Sequence, residues 1–71
     1  MNRRFITVDG DALRRLRRDR ALSLRELGER SGVAFDAINK LELGKRAAQP
    51  RTIRKLAEAL GVEPRELMKG D

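Results

Sequence analysis

The chain has 71 residues and a formal net charge of +6, and it contains neither cysteine nor histidine. A chain of this length forms one domain. Without these two residue types it lacks disulfides, thiolate metal sites and the commonest general base, so we expect no enzyme activity, no metal and no cofactor. The excess of cations favours a polyanionic partner such as nucleic acid, although arginine can also serve solubility alone.

Residues 1–10 are predicted to form a short extended arm, and residues 11–71 are predicted to form the folded domain. The run FITV at 5–8 contains aromatic and β-branched residues, which favour extended backbone. The Asp9-Gly10 pair is a turn signal that separates the arm from the first helix. We therefore expect the arm to lie against the domain and to be ordered only in part.

Helix 1 is expected over about residues 12–20, with Asp11 as its N-cap. Leu13, Leu16 and Arg17 are spaced at i, i+3 and i+4, which puts Arg17 on the side that meets the core. The other basic residues of this helix are expected on the solvent side: Arg14, Arg15, Arg18 and Arg20.

Residues 23–43 have the spacing of two short helices with a break of about four residues between them, which is a helix-turn-helix arrangement. Ser23 and Glu26 form a capping box at the start of helix 2, because each side chain can bond the other residue's backbone N–H. Gly28 is expected where a larger side chain would keep a neighbouring helix away. Gly32 can take the left-handed conformation that ends the helix.

Helix 3 is expected to begin near residues 34–35 and to place Ile38, Leu41 and Glu42 on one stripe. An acid on a buried stripe needs a partner, and Arg17 on helix 1 faces the same core. We therefore predict a partly buried Arg17–Glu42 ion pair, in which loss of one partner costs about 3–5 kcal/mol. In the alternative, both side chains extend to water at the edge of the domain.

Two further helices complete the pattern. A basic loop at residues 44–51 leads into helix 4, where Pro50 can take the first helical position. The apolar residues of helix 4 lie at i, i+3, i+4 and i+7: Ile53, Leu56, Ala57 and Leu60. Pro64 starts a short helix 5, to which Leu67 and Met68 contribute the apolar side chains. The prediction is an all-α, compact five-helix domain around one small core.

Several segments keep one register over four of these elements: Leu13, Leu16 and Arg17; LSLREL at 22–27; Ser31-Gly32-Val33; Ile38 with LELGKR at 41–46; and TIRKLAEALGV at 52–62. Over about residues 11–68 the chain resembles the lambda and 434 repressor and Cro-type helix-turn-helix domains, the XRE family. The resemblance implies a repressor-like fold in which Arg17 and Glu42 form an internal ion pair. It also implies that helix 3 enters the major groove of double-stranded DNA.

Two sets of residues would then contact DNA. By family position, the base-reading residues of helix 3 are Phe35, Asp36, Asn39 and Lys40. At the start of helix 2 and in the basic loop, the phosphate-binding residues are Ser23, Arg25, Lys45, Arg46 and Arg51. In the groove, lysine donates to guanine, asparagine pairs with adenine, an aromatic ring covers a thymine methyl group and aspartate accepts from cytosine.

Each base-reading assignment has a structural alternative. Phe35 can complete the core at the junction of helices 2 and 3, because aromatic side chains bury a large apolar area. Asp36 can stabilise the start of helix 3 through the helix dipole. Asn39 and Lys40 can belong to an ordinary solvated face.

Three positions depart from the family pattern. Leu24 stands where the family usually has a glutamine that braces a phosphate and a base-reading residue. Ala34 replaces the usual serine at the start of helix 3, which removes a cap worth about 1 kcal/mol. Asp36 brings negative charge towards DNA, and an exposed Leu24 and Phe35 would instead mark a protein-contacting surface.

Two functions therefore stay open. The first is a repressor-like transcriptional regulator that binds a two-fold DNA operator as a weak homodimer, with a dimer contact through the helix 4–5 loop and helix 5 taken from the family. The second is an antitoxin-like or regulatory protein-interaction module on the same fold. No apolar run reaches the ~18 residues needed to cross a bilayer, so we expect no membrane contact and a cytoplasmic, nucleoid-associated protein of bacterial or phage-like type.

Overall fold

A computed structural model of the protein describes residues 4–70 and shows four α-helices followed by a short 3-10 helix. The α-helices are α1 (Gly10–Asp19), α2 (Leu24–Ser31), α3 (Phe35–Glu42) and α4 (Pro50–Leu60), and the 3-10 helix is Pro64–Leu67. The all-α fold class is confirmed, since the described residues contain no strand, but the short fifth helix predicted from Pro64 is one 3-10 turn and not an α-helix. That segment ends after one 3-10 turn because Met68 is extended and pairs with Val8 of the arm.

Helix α1 begins at Gly10 and not near residue 12. Its N-cap is Asp9, whose carboxylate accepts a hydrogen bond from the N–H of Ala12 at 3.1 Å, and the predicted cap Asp11 lies inside the first turn. A Cβ added at Gly10 would lie 2.8 Å from the carbonyl oxygen of Leu41. The missing side chain therefore lets the start of α1 approach the end of α3, a contact between helices that decides which aspartate caps the helix.

All four α-helices are followed by a residue with left-handed backbone. These residues are Ala21 with a φ of 55°, Gly32 with 77° as predicted, Gly44 with 74° and Gly61 with 71°. After α1, the N–H of Leu22 donates to the carbonyl oxygen of Arg17 at 3.1 Å, and the N–H of Ala21 donates to that of Arg18 at 2.9 Å. These two bonds form a Schellman motif in which Ala21 has the steric cost that glycine avoids.

The core lies between the helices and takes side chains from all of them. The largest fully buried side chains are Leu13, Leu27, Ile38, Leu41, Ile53, Leu56 and Leu67. Leu24 is half-buried and packs against this cluster, so it does not mark an exposed protein-contacting surface. Its spacing of three residues from buried Leu27 puts both on one helix face. Phe35 is 41% exposed and does not complete the core.

The described part of the N-terminal arm pairs with the domain. Ile6 and Ala48 exchange two backbone hydrogen bonds, of 2.7 and 2.9 Å, which tie the arm to the loop after α3. Val8 is 6% exposed and belongs to the core. Residues 1–3 of the predicted arm, and Asp71 at the other end, lie outside the described residues. Within residues 4–70, no helix has the length and apolar character needed to cross a bilayer.

Candidate nucleic-acid interface

Arg17 of α1 and Glu42 of α3 form a bidentate ion pair between the two helices. The guanidinium Nε donates to Glu42 Oε2 at 2.7 Å, and Nη2 donates to Oε1 at 3.0 Å. Both residues are buried, at 9% and 5% exposure, so neither side chain extends to water. The hydrogen bonds to the carboxylate raise the pKa of Arg17, against the lowering effect of burial. The pair holds α3 in a fixed orientation on α1.

The same pair has two further partners that the sequence did not indicate. Arg17 Nη1 donates to the carbonyl oxygen of Leu22 at 2.9 Å, which fixes the chain just before α2. Arg14 Nε lies 3.5 Å from Glu42 Oε1, so Arg14 is half-buried and faces solvent only in part. Arg14 and Arg17 are three residues apart on one helix face, a spacing that would have suggested a shared carboxylate.

Arg20 connects α1 to α4. Its Nε donates to the carbonyl oxygen of Leu60 at 2.7 Å, and its Nη1 donates to that of Leu16 at 3.0 Å. The sequence placed Arg20 in solvent, and the residue is indeed exposed, but its guanidinium binds the last carbonyl of α4. A cation is favoured at the negative end of a helix, yet the two residues lie 40 positions apart and no local pattern joins them.

The start of α2 has the predicted capping box. The hydroxyl of Ser23 accepts from the N–H of Glu26 at 3.0 Å, and the N–H of Ser23 donates to Glu26 Oε1 at 2.8 Å. Hydrogen bonding to Ser23, first through its backbone N–H and then through its side chain, lowers the pKa of Glu26. A phosphate at this helix end would lie close to the Glu26 carboxylate.

The outer side of α3 carries three of the four predicted base-reading residues. Phe35, Asp36 and Lys40 are exposed, whereas Asn39 is half-buried. Asp36 Oδ2 lies 3.6 Å from Lys40 Nζ, one helical turn further along. Ala34 makes no side-chain hydrogen bond at the N-cap, as expected for the departure from serine. The acid thus partly neutralises the lysine that would face the bases.

Arg25 and Phe35 meet across the junction of α2 and α3. The guanidinium carbon of Arg25 lies over the Phe35 ring, 4.5 Å from its centroid. Gly28 is part of the same junction, since an added Cβ would lie 2.9 Å from the carbonyl oxygen of Val33. An open groove of about 300 Å³ runs beside the pair. The sequence predicts a phosphate contact for Arg25, and its spacing from Phe35 indicates no contact between the two side chains.

The loop after α3 and the first turn of α4 carry the remaining predicted phosphate ligands, with Lys45 and Arg46 in the loop and Arg51 in α4. Lys45, Arg46 and Arg51 are all exposed. In the described part of the chain, none of the three is held by a salt bridge. The loop is held in place by the bridge between Ala48 and Ile6 of the arm. Three cations therefore follow the exposed side of α3 within a short stretch of chain.

The helix-turn-helix family matches residues 13–67 of the chain. The HTH-type transcriptional repressor RghR of Bacillus subtilis is 45% identical over 60 residues, which are 83% of this chain and 44% of the repressor. The solved restriction-modification controller protein C.AhdI of Aeromonas hydrophila is 41% identical, with a TM-score of 0.79 over 83% of this chain and 89% of that chain.

A third similarity is to a small part of a longer protein. The structure of Streptomyces albus HEPD with 2-hydroxyethylphosphonate and Fe(II) bound is 35% identical, with a TM-score of 0.78 over 89% of this chain but only 14% of that chain. This chain also spans less than half the length of the curated repressor. The same helical arrangement therefore occurs in proteins of different length and different chemistry, so function must be argued from the surface of α3 and its surroundings.

Proposed function

The chain belongs to the helix-turn-helix family, XRE type, and on that premise we propose that it binds double-stranded DNA and regulates transcription as a repressor-like module. Helix α3 would lie in the major groove. One observation carries the proposal: the side of α3 away from the core is exposed, and three exposed cations lie in the loop after it and at the start of α4. The buried ion pair supports it by holding α3 rigidly on α1.

Base contacts are assigned to the exposed start and middle of α3. Phe35 would cover a thymine methyl group, and Lys40 would donate to guanine. Asp36 either accepts from cytosine or limits the reach of Lys40 through their contact at 3.6 Å. Asn39 would pair with adenine, although its half-buried position gives it less freedom than its neighbours.

Phosphate contacts are assigned to the start of α2 and to the residues that follow α3. Lys45, Arg46 and Arg51 would neutralise phosphates after α3, and each contact releases counterions from DNA. Ser23 would donate its hydroxyl proton to a phosphate at the start of α2, where the helix N–H groups add a partial positive charge. Binding to chromosomal DNA would place the protein in the cytoplasm, with the nucleoid.

Recognition of a two-fold operator by a weak homodimer belongs to the same proposal. The half-sites would lie one helical turn, about 34–36 Å, apart. The dimer contact would use the segment after α4, where Val62 and Met68 are half-buried apolar residues. Leu67 of the 3-10 helix is fully buried and is not available for such a contact.

The second candidate function is a protein-interaction module. It is supported by the exposed apolar side chains of Phe5, Phe35 and Leu43, at 58%, 41% and 49% exposure, and by the groove beside Phe35. A partner such as a toxin or another regulator would cover Phe35 and the groove beside it. Enzymatic activity is not part of either candidate.

The salt dependence of duplex affinity tests the first candidate against the second. We expect affinity to fall steeply between 50 and about 200 mM salt, as it does for proteins that neutralise several phosphates. The double variant Lys45→Ala, Arg46→Ala should bind every sequence more weakly and should reduce the salt slope by about two. Fluorescence anisotropy with a labelled duplex measures both quantities.

The matched control removes two charges from another surface. Arg15 and Arg18 are exposed on α1, so Arg15→Ala, Arg18→Ala changes the net charge equally without touching the basic loop. We expect this variant to keep most of the affinity and the salt slope. A flat salt response, or no duplex binding at low salt, would refute DNA binding and leave the interaction module.

A further inference from the structure

We propose that Arg25 and Phe35 act together as one reading unit for a thymine that neighbours a guanine, with Phe35 on the thymine methyl group and Arg25 on the guanine edge. The inference rests on the proposed DNA-binding function and names a base step that the same site would select. It assigns Arg25 to a base edge and not to the phosphate backbone. The contact between the two side chains is the observation from which it starts.

The contacts of Arg25 leave its guanidinium N–H groups available for a base. Its Cζ lies over the Phe35 ring, 4.5 Å from the centroid, and a guanidinium stacked parallel to the ring would keep its N–H groups outside this contact. No carboxylate forms a salt bridge with Arg25 within residues 4–70. An arginine edge with its donors in a planar fork matches the O6 and N7 acceptors of guanine, the commonest specific contact in the major groove.

The position of the ring brings the cation to the reading end of α3. Phe35 is the first residue of α3 and is 41% exposed. Arg25 belongs to α2, and its stacking on Phe35 draws it towards that end. Leu24, beside Arg25, is half-buried against the core and cannot brace a base-reading residue. Arg25, the next residue along the chain, would therefore hold Phe35 in place, which Leu24 cannot do.

The separation of the two groups fits neighbouring base pairs. Successive bases in a DNA strand are about 3.4 Å apart along the axis. The ring centroid and the guanidinium carbon are 4.5 Å apart, so each group can address its own base pair in the same step. An apolar ring distinguishes thymine by its methyl group, and a cationic fork distinguishes guanine by its two acceptors. A base step that contains both thymine and guanine would let Phe35 and Arg25 each make its contact.

The experiment has two stages and uses the whole chain. Duplexes are first selected from a random pool with the wild-type protein, and the enriched site should contain a thymine next to a guanine. The selected duplex is then made with deoxyuridine for that thymine, which removes only the methyl group, or with 7-deazaguanine for that guanine, which removes only N7. We expect wild-type affinity to fall about fourfold with deoxyuridine and about 5- to 150-fold with 7-deazaguanine.

Two variants connect each base to its side chain. Arg25→Lys keeps the charge but loses the fork, so it should no longer distinguish guanine from 7-deazaguanine. Phe35→Ala should no longer distinguish thymine from deoxyuridine. Arg15→Lys, on the exposed side of α1, is the matched control and should keep both discriminations. Circular dichroism during thermal unfolding checks that each variant is folded at the temperature of the binding assay.

Other outcomes would overturn the inference and would also separate it from the proposed function. If Arg25→Lys and Arg25→Ala change affinity by the same factor for every duplex, Arg25 is a phosphate contact and DNA binding stands without the reading unit. If the variants lose stability but wild-type affinity ignores both base substitutions, the pair only joins α2 to α3. If the wild type binds no duplex at low salt, the proposed function fails and the reading unit fails with it.

Discussion

The two sides of helix α3 carry charged residues under opposite conditions. On the inner side, Glu42 is buried and meets Arg17 in two hydrogen bonds of 2.7 and 3.0 Å. On the outer side, Asp36 and Lys40 are 71% and 49% exposed in their side chains and approach only to 3.6 Å. Burial makes the inner pair costly to break, because a lone charge cannot return to water. The outer pair is screened by solvent and contributes little to stability.

This difference separates scaffold from surface within a helix of eight residues. The inner charges hold α3 in place, and the outer charges remain available to a partner. Arg25 on Phe35 is intermediate: the contact is specific, yet both residues are exposed. A cation–π contact at such a site is worth about 0.5–1 kcal/mol, enough to bias a side chain without immobilising it.

Breaking the inner pair should have the largest effect on stability. Arg17→Met should lower the free energy of unfolding by about 3 kcal/mol, the lower end of the range for a buried pair, because Arg14 still reaches Glu42. Adding Glu42→Leu should recover much of this loss, since no unpaired buried carboxylate remains. Urea denaturation of both single variants and the double variant measures the coupling.

The matched control for this cycle is the outer pair. Asp36→Ala, Lys40→Ala and their double variant should each change the unfolding free energy by about 0.5 kcal/mol or less. Additive inner variants would show that Arg17 and Glu42 do not depend on each other. Outer variants as costly as the inner ones would remove the distinction between the two sides of α3.

Replacing Ala21, which lies next to the inner pair, with glycine should raise the stability of the protein. Ala21 is left-handed at a φ of 55°, just before Leu22, whose carbonyl oxygen accepts from Arg17. Ala21→Gly removes the steric cost of that conformation and should stabilise the protein by about 1 kcal/mol, or about 4–8 °C in Tm. Differential scanning calorimetry measures the shift. Ala59→Gly, inside α4, is the control and should destabilise.

The smallest effect is expected from an acid outside the core, and it should depend on pH. Bonds from Ser23 lower the pKa of Glu26 below its ordinary 4.5, so the charged form stabilises the folded state. That contribution is complete above pH 4.5 and is lost as pH falls through the lower folded pKa. Glu26→Gln should therefore have a lower Tm than wild type at pH 7, with a difference that shrinks below pH 4.5.

The control for this pH profile lies on the same helix. Glu29 is exposed and lies beyond the first turn of α2, outside the capping box. Glu29→Gln should give a Tm difference from wild type with a weaker pH dependence than Glu26→Gln. An equal Tm gap for Glu26→Gln at pH 3 and pH 7 would contradict the role of the charged carboxylate.

The sequence predicts which residues of the candidate interface are exposed, but it does not predict which of them contact one another. It placed Phe35, Asp36 and Lys40 at positions that prove exposed, and it brought Arg17 to Glu42 because both lie on core-facing stripes. Those inferences use helical periodicity, which repeats over a few residues. The contact of Arg25 with Phe35 joins two helices through a turn, and its geometry depends on how closely the backbones approach at Gly28.

By itself the sequence determined the all-α class, the capping box at Ser23 and the inward side of each helix, because caps and periodicity act between residues three or four positions apart. Tertiary structure decided the features that these local patterns do not specify. It set the start of α1 at Gly10 against α3, and it ended the last turn where Met68 pairs with the arm. It also gave Arg20 a carbonyl on α4. Each of these features depends on where two elements approach each other. Their relative position is fixed only when the whole core packs.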